Sequence, residues 1–277
     1  LQNIFDCKNV SNIIAELFYI TANALSMQNL YSFSNFYINL AKYLNQDFFS
    51  YNTLLAENYV MVDDYQKAKK IYQILKKLGE YYEWHSSKQI ALLLIQNSEI
   101  NQALKTIEKS YYNLSEPNLY QTYDYAQFLK NNEKFKKSIK YYSKVLQKIS
   151  NNHELFPKAK DGRGIAYERT GNWEKAEKDF LDSLDANPNQ AYVINYLAYS
   201  WIEKGVKIEK SLKMLEEANQ LRSNDGYITD SLGWALYKLK KYKKAEEYLK
   251  KAVQLMPSDP IVNDHFADIL WMNGEKL

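Results

Sequence analysis

Catalysis needs groups that titrate near neutrality or attack an electrophile, and in this chain such groups are few and scattered. The three histidines, His85, His153 and His265, fall in separate segments, and no His-Glu-x-x-His pattern occurs. Cys7 is the only cysteine, which excludes an internal disulfide and a cysteine-based zinc site. We read the histidines as surface or loop residues. The run Asp161–Gly164 (DGRG) contains two glycines but follows no strand pattern, so it is neither a P-loop nor a dinucleotide fingerprint. The carboxylate pairs Asp63–Asp64 and Glu246–Glu247 fall at turns or on outward helix faces, where charge is ordinarily solvated. No nucleophile stands beside a base. No enzymatic activity, metal or cofactor is therefore expected.

Contact chemistry is better represented. Tyr192, Asn195 and Tyr199 are followed at equivalent spacing by Tyr227, Asp230, Trp234 and Tyr237, and then by Asp264, Asp268 and Trp271. Tyr and Trp supply large contact area with a polar handle, the usual composition of an interface hot spot. Asn195, Asp230 and Asp264 form a polar line beside them, suited to a ligand with amide or hydroxyl donors, such as an extended peptide. Two other accounts stay open: packing between neighbouring helices, and the codon bias of an AT-rich genome, which would also explain 25 tyrosines.

What must position these residues is a repeat. The stretch from Gly226 to Pro260 can be laid over the one before it, with Tyr227, Leu232, Gly233, Tyr237, Leu249 and Ala252 falling on Tyr192, Leu197, Ala198, Ile202, Leu215 and Ala218. One extra residue sits in the turn of the earlier copy. A third copy runs through Gly164, Tyr167, Gly171, Trp173, Ala176, Phe180 and Pro188. Weaker copies carry small residues at the same places: Ala126 and Ser138; Ala91, Ala103 and Ser110; Ala56 and Ala68; Ala22, Ser34 and Ala41. The expected boundaries are 15–48, 49–83, 84–118 and 119–152 in a divergent part (1–156), then 157–190, 191–225, 226–259 and a partial 260–277 in a regular part (157–277).

Small residues at two helix crossings per unit let helices approach, and large ones fill the space left. Gly171 and Gly205 fall in turns where positive φ is expected, and Pro188 and Pro257 should end helices. The candidate contact residues occupy first-helix positions that the pattern leaves free, together with Ile202, Glu203, Lys238, Ile261 and Met272.

Composition agrees with helices joined by short loops. Among 277 residues there are only 8 Gly and 5 Pro, with 46% hydrophobic and 25% charged residues. The net charge of +3, from 36 basic and 33 acidic residues, gives no single-signed field, so nucleic acid is not expected as a partner. The lysines between Lys238 and Lys251 are read as a solvated face, paired at i,i+4 with Glu246 and Glu247. The longest apolar runs, such as Ile90–Ile95, are far too short to cross a bilayer. The chain begins at Leu1 and stops at Leu277 in mid-pattern, as expected of a fragment or processed form.

The spacing resembles the tetratricopeptide repeat of about 34 residues. That resemblance implies an all-α, right-handed superhelical solenoid of helix–turn–helix repeats, seven full and one partial, with a concave binding surface. Over residues 157–277 the chain resembles bacterial cell-envelope members of that family, similar to outer-membrane lipoprotein adaptors that bring substrates to a processing protease. The resemblance implies a non-enzymatic scaffold in the periplasm or at the outer membrane, with an envelope protease or cell-wall hydrolase as partner. Cys7 does not stand in a lipobox, and a cytoplasmic location stays open. Repeats that hold a chaperone's C-terminal carboxylate carry Lys and Asn four residues apart. Here Lys88 is followed by Leu92 and Asn23 is preceded by Tyr19, so that ligand is not expected. The alternative function is an accessory repeat domain of a larger enzyme.

Overall fold

A computed structural model describes residues 8–274, so Cys7 lies outside the described residues. The described residues form fifteen α-helices and one 3-10 turn (Lys76–Leu78), with no strand. The helices are α1 (Val10–Met27), α2 (Tyr31–Leu44), α3 (Ser50–Met61), α4 (Tyr65–Leu75), α5 (Glu80–Gln96), α6 (Ile100–Asn113), α7 (Leu119–Asn131) and α8 (Phe135–Leu146). They continue with α9 (Leu155–Arg169), α10 (Trp173–Ala186), α11 (Ala191–Glu203), α12 (Ile208–Leu221), α13 (Gly226–Lys238), α14 (Tyr242–Leu255) and α15 (Pro260–Met272). This order is consistent with seven helix pairs and one further first helix.

Local chemistry explains where helices start and stop. Asn9 caps α1 through its Oδ1, which accepts from the Ser11 amide at 2.9 Å. Asp64, Asp225 and Asp259 cap α4, α13 and α15 in the same way, and Pro260 stands in the first turn of α15, where its missing N–H costs nothing. Pro188 and Pro257 each lie just beyond a helix, as expected.

Every turn inside a helix pair ends in the same device. The amides of Leu30, Asp64, Glu99, Lys134, Asn172, Val206 and Lys241 each donate to the carbonyl five residues back, at 2.7–2.9 Å. The residue just before each donor has positive φ: Asn29, Asp63, Ser98, Glu133, Gly171, Gly205 and Lys240. This is the Schellman closure of a helix, which needs one left-handed residue. The extra residue between α11 and α12 is Lys207, itself left-handed at φ 52°.

Packing follows the small positions. Ala22, Ala56, Ala68, Ala91, Ala103, Ala126, Ala176, Ala198, Ala218, Ala245 and Ala252 are wholly buried. A Cβ on Gly164 would stand 2.7 Å from the Phe180 ring, and one on Gly233 would stand 2.7 Å from Leu249 Cγ, so both glycines mark helix crossings with no room for a methyl group.

Contacts divide the chain into two compact units, meeting between Gln121 and Thr122. The line at 156/157 marks where Gly and Pro become regular in the sequence, and packing runs on across it. A Cβ on Gly162 of α9 would meet the Tyr142 ring of α8, and Arg163 Nη1 donates to Ser143 Oγ at 2.9 Å. No helix among the described residues is long and apolar enough to cross a membrane.

Candidate functional site

The contact residues expected from sequence all lie in the unit that begins at Thr122, on α11, α13 and α15. They divide into an open set and a closed set. Tyr192, Tyr227 and Trp271 are 53%, 57% and 72% exposed, and Ile261 and Met272 are exposed beside them. Asp264 and Asp268 are exposed as well. Tyr192 is held in place rather than free. Its hydroxyl donates to Asp225 Oδ2 at 2.8 Å, which raises its pKa, and the Arg222 guanidinium lies 4.8 Å from its ring centroid.

The closed set corrects the sequence reading. Trp234 and Asp230 are buried, and so is Ile202. The residue that closes off Asp230 and Trp234 is His265, which is itself buried rather than on the surface. His265 Nδ1 lies 2.9 and 3.1 Å from the two Asp230 carboxylate oxygens. Its ring stacks on Trp234 with centroids 4.0 Å apart, and Tyr237 also stacks on Trp234 at 4.7 Å. The Trp234 indole N–H donates to Glu203 Oε1 at 2.7 Å, and Lys238 Nζ lies 4.5 Å from the Trp234 ring centroid. Asp230 therefore does not continue a polar surface line from Asn195 to Asp264. It fastens α15 to α13.

Asn195 and Tyr199 are half-buried; two cavities share Tyr196 and Tyr199 as a common wall, and Asn195 borders one of them. One, of about 340 Å³, lies between α9 and α11 and is rimmed by Glu168, Arg169, Glu203 and Lys204. The other, of about 200 Å³, lies among α11, α13 and the start of α15, beside Tyr227 and Ile261. Burial pushes both shared phenols up to about 12, Glu168 adding to the effect at Tyr196, and Glu203 and Asp230 at Tyr199. Both stay protonated near neutrality, and the Tyr196 hydroxyl donates to Glu168 Oε2 at 3.0 Å.

Sequence reasoning missed Tyr196, which it counted among neither the packing nor the contact positions, and missed an ionic set on α9 and α10. Arg163 grips Asp179 with Nε at 2.6 Å and Nη2 at 2.9 Å, while Lys160 Nζ reaches Asp179 at 2.9 Å and Asp182 at 2.6 Å. Burial alone would lower the pKa of both cations, but their hydrogen bonds to these aspartates leave both raised. The signal was present as two i,i+3 pairs of opposite sign, Lys160/Arg163 and Asp179/Asp182, on the two helices of one unit.

The other residues considered for chemistry are accounted for. His153 Nδ1 accepts from the Leu155 amide at 3.1 Å, and burial lowers the pKa of His85, with Lys88 adding to this. No group of three His, Cys, Asp or Glu side chains that could hold a metal ion occurs among the described residues. None of the lysines from Lys238 to Lys251 pairs with Glu246 or Glu247, and Glu246 instead accepts from Asn273 Nδ2 at 2.6 Å.

The model of the tetratricopeptide repeat family matches residues 39–276. A curated relative, the TPR repeat-containing protein PA4667 of Pseudomonas aeruginosa, is 27% identical over 99 residues, which are 36% of this chain and 17% of the relative. The match thus spans about a sixth of that protein. Among solved structures, the C-terminal part of a TPR repeat-containing protein from Cytophaga hutchinsonii superposes with a TM-score of 0.56 at 17% identity, over 89% of this chain and 98% of the other. A chain of the APC/C hetero-tetramer Cut9-Hcn1 gives 0.59 at 16% identity, over 80% and 42%. At such identities the likeness is one of fold. Together with seven helix pairs that share a recurring turn, the family match shows that this chain belongs to the tetratricopeptide repeat family.

Proposed function

We propose that the chain is a non-enzymatic protein-interaction scaffold, and that the first-helix face of α11, α13 and α15 receives an extended segment of a partner protein. The carrying observation is the open set. Tyr192, Tyr227, Ile261 and Trp271 expose large apolar surface on successive first helices, alongside two side-chain-sized cavities that share the Tyr196–Tyr199 wall. Repeat arrays of this type present extended binding surfaces, and exposed apolar patches rimmed by polar groups mark interaction sites. Asp264, Asp268 and Glu203 supply that rim.

The test compares partner capture by the parent chain and by a Tyr192→Ala/Tyr227→Ala/Trp271→Ala variant. These side chains carry little packing, so the variant should fold, and it should lose the captured partners. An identical partner list for both proteins overturns the assignment. The cell-envelope setting and the protease or hydrolase partner rest on the sequence resemblance to envelope adaptors. The complete reading frame tests them, since a secretion signal upstream supports that setting and a catalytic domain in the same frame supports an accessory role in a larger enzyme.

A further inference from the structure

Asp161 opens the DGRG run, which matches no phosphate-binding motif, and its half-buried carboxylate has no partner. Among the described residues nothing forms a hydrogen bond or an ion pair with it. It holds the fifth place of its unit, as Asn195, Asp230 and Asp264 do in the next three. Tyr123 and Lys130 of α7 hold the fifth and twelfth places of the unit before, and both are half-buried. Gly162 lets α8 come close beside them: a Cβ there would meet the Tyr142 hydroxyl, which donates to Gln127 Oε1.

Each group that could neutralise Asp161 is out of reach or committed. Burial lowers the Lys130 pKa and Asp161 opposes the fall, yet no ion pair closes between the two. The basic residues next to it on α9, Lys160 and Arg163, are held by the aspartates of α10. Asp230, at the same place two units on, is paired by His265 of the following unit. The residue equivalent to His265 in the unit after Asp161 is Tyr196, and its hydroxyl donates to Glu168 instead. At neutral pH the site therefore carries a half-buried charge with no counter-ion in contact. A group that costs stability and makes no contact is suited to a partner arriving from outside.

The missing element is positive charge. Charge-assisted hydrogen bonds are roughly twice as strong as neutral ones, and more so away from water. The rest of the first-helix face agrees. In α11, α13 and α15 the acidic residues are Glu203, Asp230, Asp264 and Asp268, against Lys238 alone, so a basic segment would meet little repulsion.

We propose that Asp161 anchors a lysine or arginine side chain of the bound segment, so that the partner of this face is a basic peptide. The step to a peptide rests on the groove reading given above.

The test selects short peptides from a random display library on the intact chain and titrates the consensus peptide calorimetrically. The expected consensus carries a basic residue whose replacement by Gln weakens binding about ten-fold in the parent and leaves it unchanged in Asp161→Asn. Lys130→Met, which removes the competing cation, should tighten the same peptide several-fold. The Asp161 carboxyl resonance, titrating at about 6 in the free chain, should titrate lower in the complex. Selected peptides without a basic residue, or a basic residue that matters equally in Asp161→Asn, overturn the proposal. Should Asp161→Asn fail to fold by circular dichroism, Lys130→Met and the carboxyl titration decide, and no change in either overturns it. Binding lost in Tyr192→Ala/Tyr227→Ala/Trp271→Ala but kept in Asp161→Asn sinks the anchor alone. The reverse sinks the groove reading and leaves the anchor standing, and failure to select any peptide sinks both.

Discussion

The two units close their interiors with different polar chemistry. Before Gln121, the buried polar groups shared by α1, α2 and α3 are neutral. Asn58 Nδ2 donates to Ser34 Oγ and Asn35 Oδ1, both at 2.8 Å, and Asn58 Oδ1 accepts from Ser26 Oγ at 2.6 Å. Ser34 Oγ donates in turn to the Ala22 carbonyl at 2.8 Å. After Thr122, the corresponding work is done by charge, through Arg163 and Lys160 on Asp179. A neutral network costs less to desolvate than a charged one and loses less when one member goes. A buried ionic set is stable only while complete, because removing one partner strands a charge away from water. The second unit is therefore the more specifically wired and the more easily broken.

The largest expected effect comes from Asp179, whose side chain is 4% exposed. Asp179→Ala leaves Arg163 without a carboxylate partner and Lys160 with Asp182 alone, and should cost about 3–5 kcal/mol in urea unfolding, read in the unit after Thr122. A loss under about 1 kcal/mol would erase the contrast between the units. Asp161 sharpens the same contrast through pH. Burial pushes its carboxyl up to about 6 against an ordinary 3.8, with Lys130 opposing the rise. The unfolded chain releases that proton near pH 4 while the folded chain keeps it until about pH 6, so the folded state loses stability as pH rises through this window. Asp161→Asn should consequently gain about 2 kcal/mol at pH 7 and nothing at pH 4. A gain that does not depend on pH would show that ionisation is not the cause.

In the neutral unit, Asn58→Ala should cost about 1–3 kcal/mol by orphaning Ser34 and Ser26, equally at pH 5 and pH 8. A loss that changes with pH would mean that charge reaches this interior too. Smallest of all are the turns. Glu133 and Lys240 hold left-handed backbone at φ 59° without being glycine. Glu133→Gly and Lys240→Gly should each raise stability by up to about 1 kcal/mol, read as an upward shift in melting temperature. Loss on substitution would show that the side chain, not the backbone, matters there.

Much of the fold was legible because the repeat is a local code. Small residues at fixed spacing can do only one thing at a helix crossing, and those at Ala22, Ala103, Ala176 and Ala245 do it. The turns of the early copies were harder to read because Asn29, Asp63, Ser98 and Glu133 take the left-handed position that Gly171 and Gly205 mark openly. The candidate site was legible only in part. Tyr192, Tyr227 and Trp271 stand open as the free first-helix positions imply, whereas Asp230 and Trp234, at equally free positions, are covered.

Helix number, pairing, turn placement and the first-helix stripe follow from the sequence alone, because each depends on residues within one unit or on its immediate repeat. Which members of that stripe meet solvent is a tertiary matter. It depends on the side chain the next unit brings against them: His265, 35 residues beyond Asp230, converts an expected surface carboxylate and indole into a buried joint. Local spacing cannot encode that, since the same position carries Tyr196 in one unit, Ser231 in the next and His265 in the last. Burial here is decided by a pair of residues from neighbouring units, and only the packed structure brings the pair together.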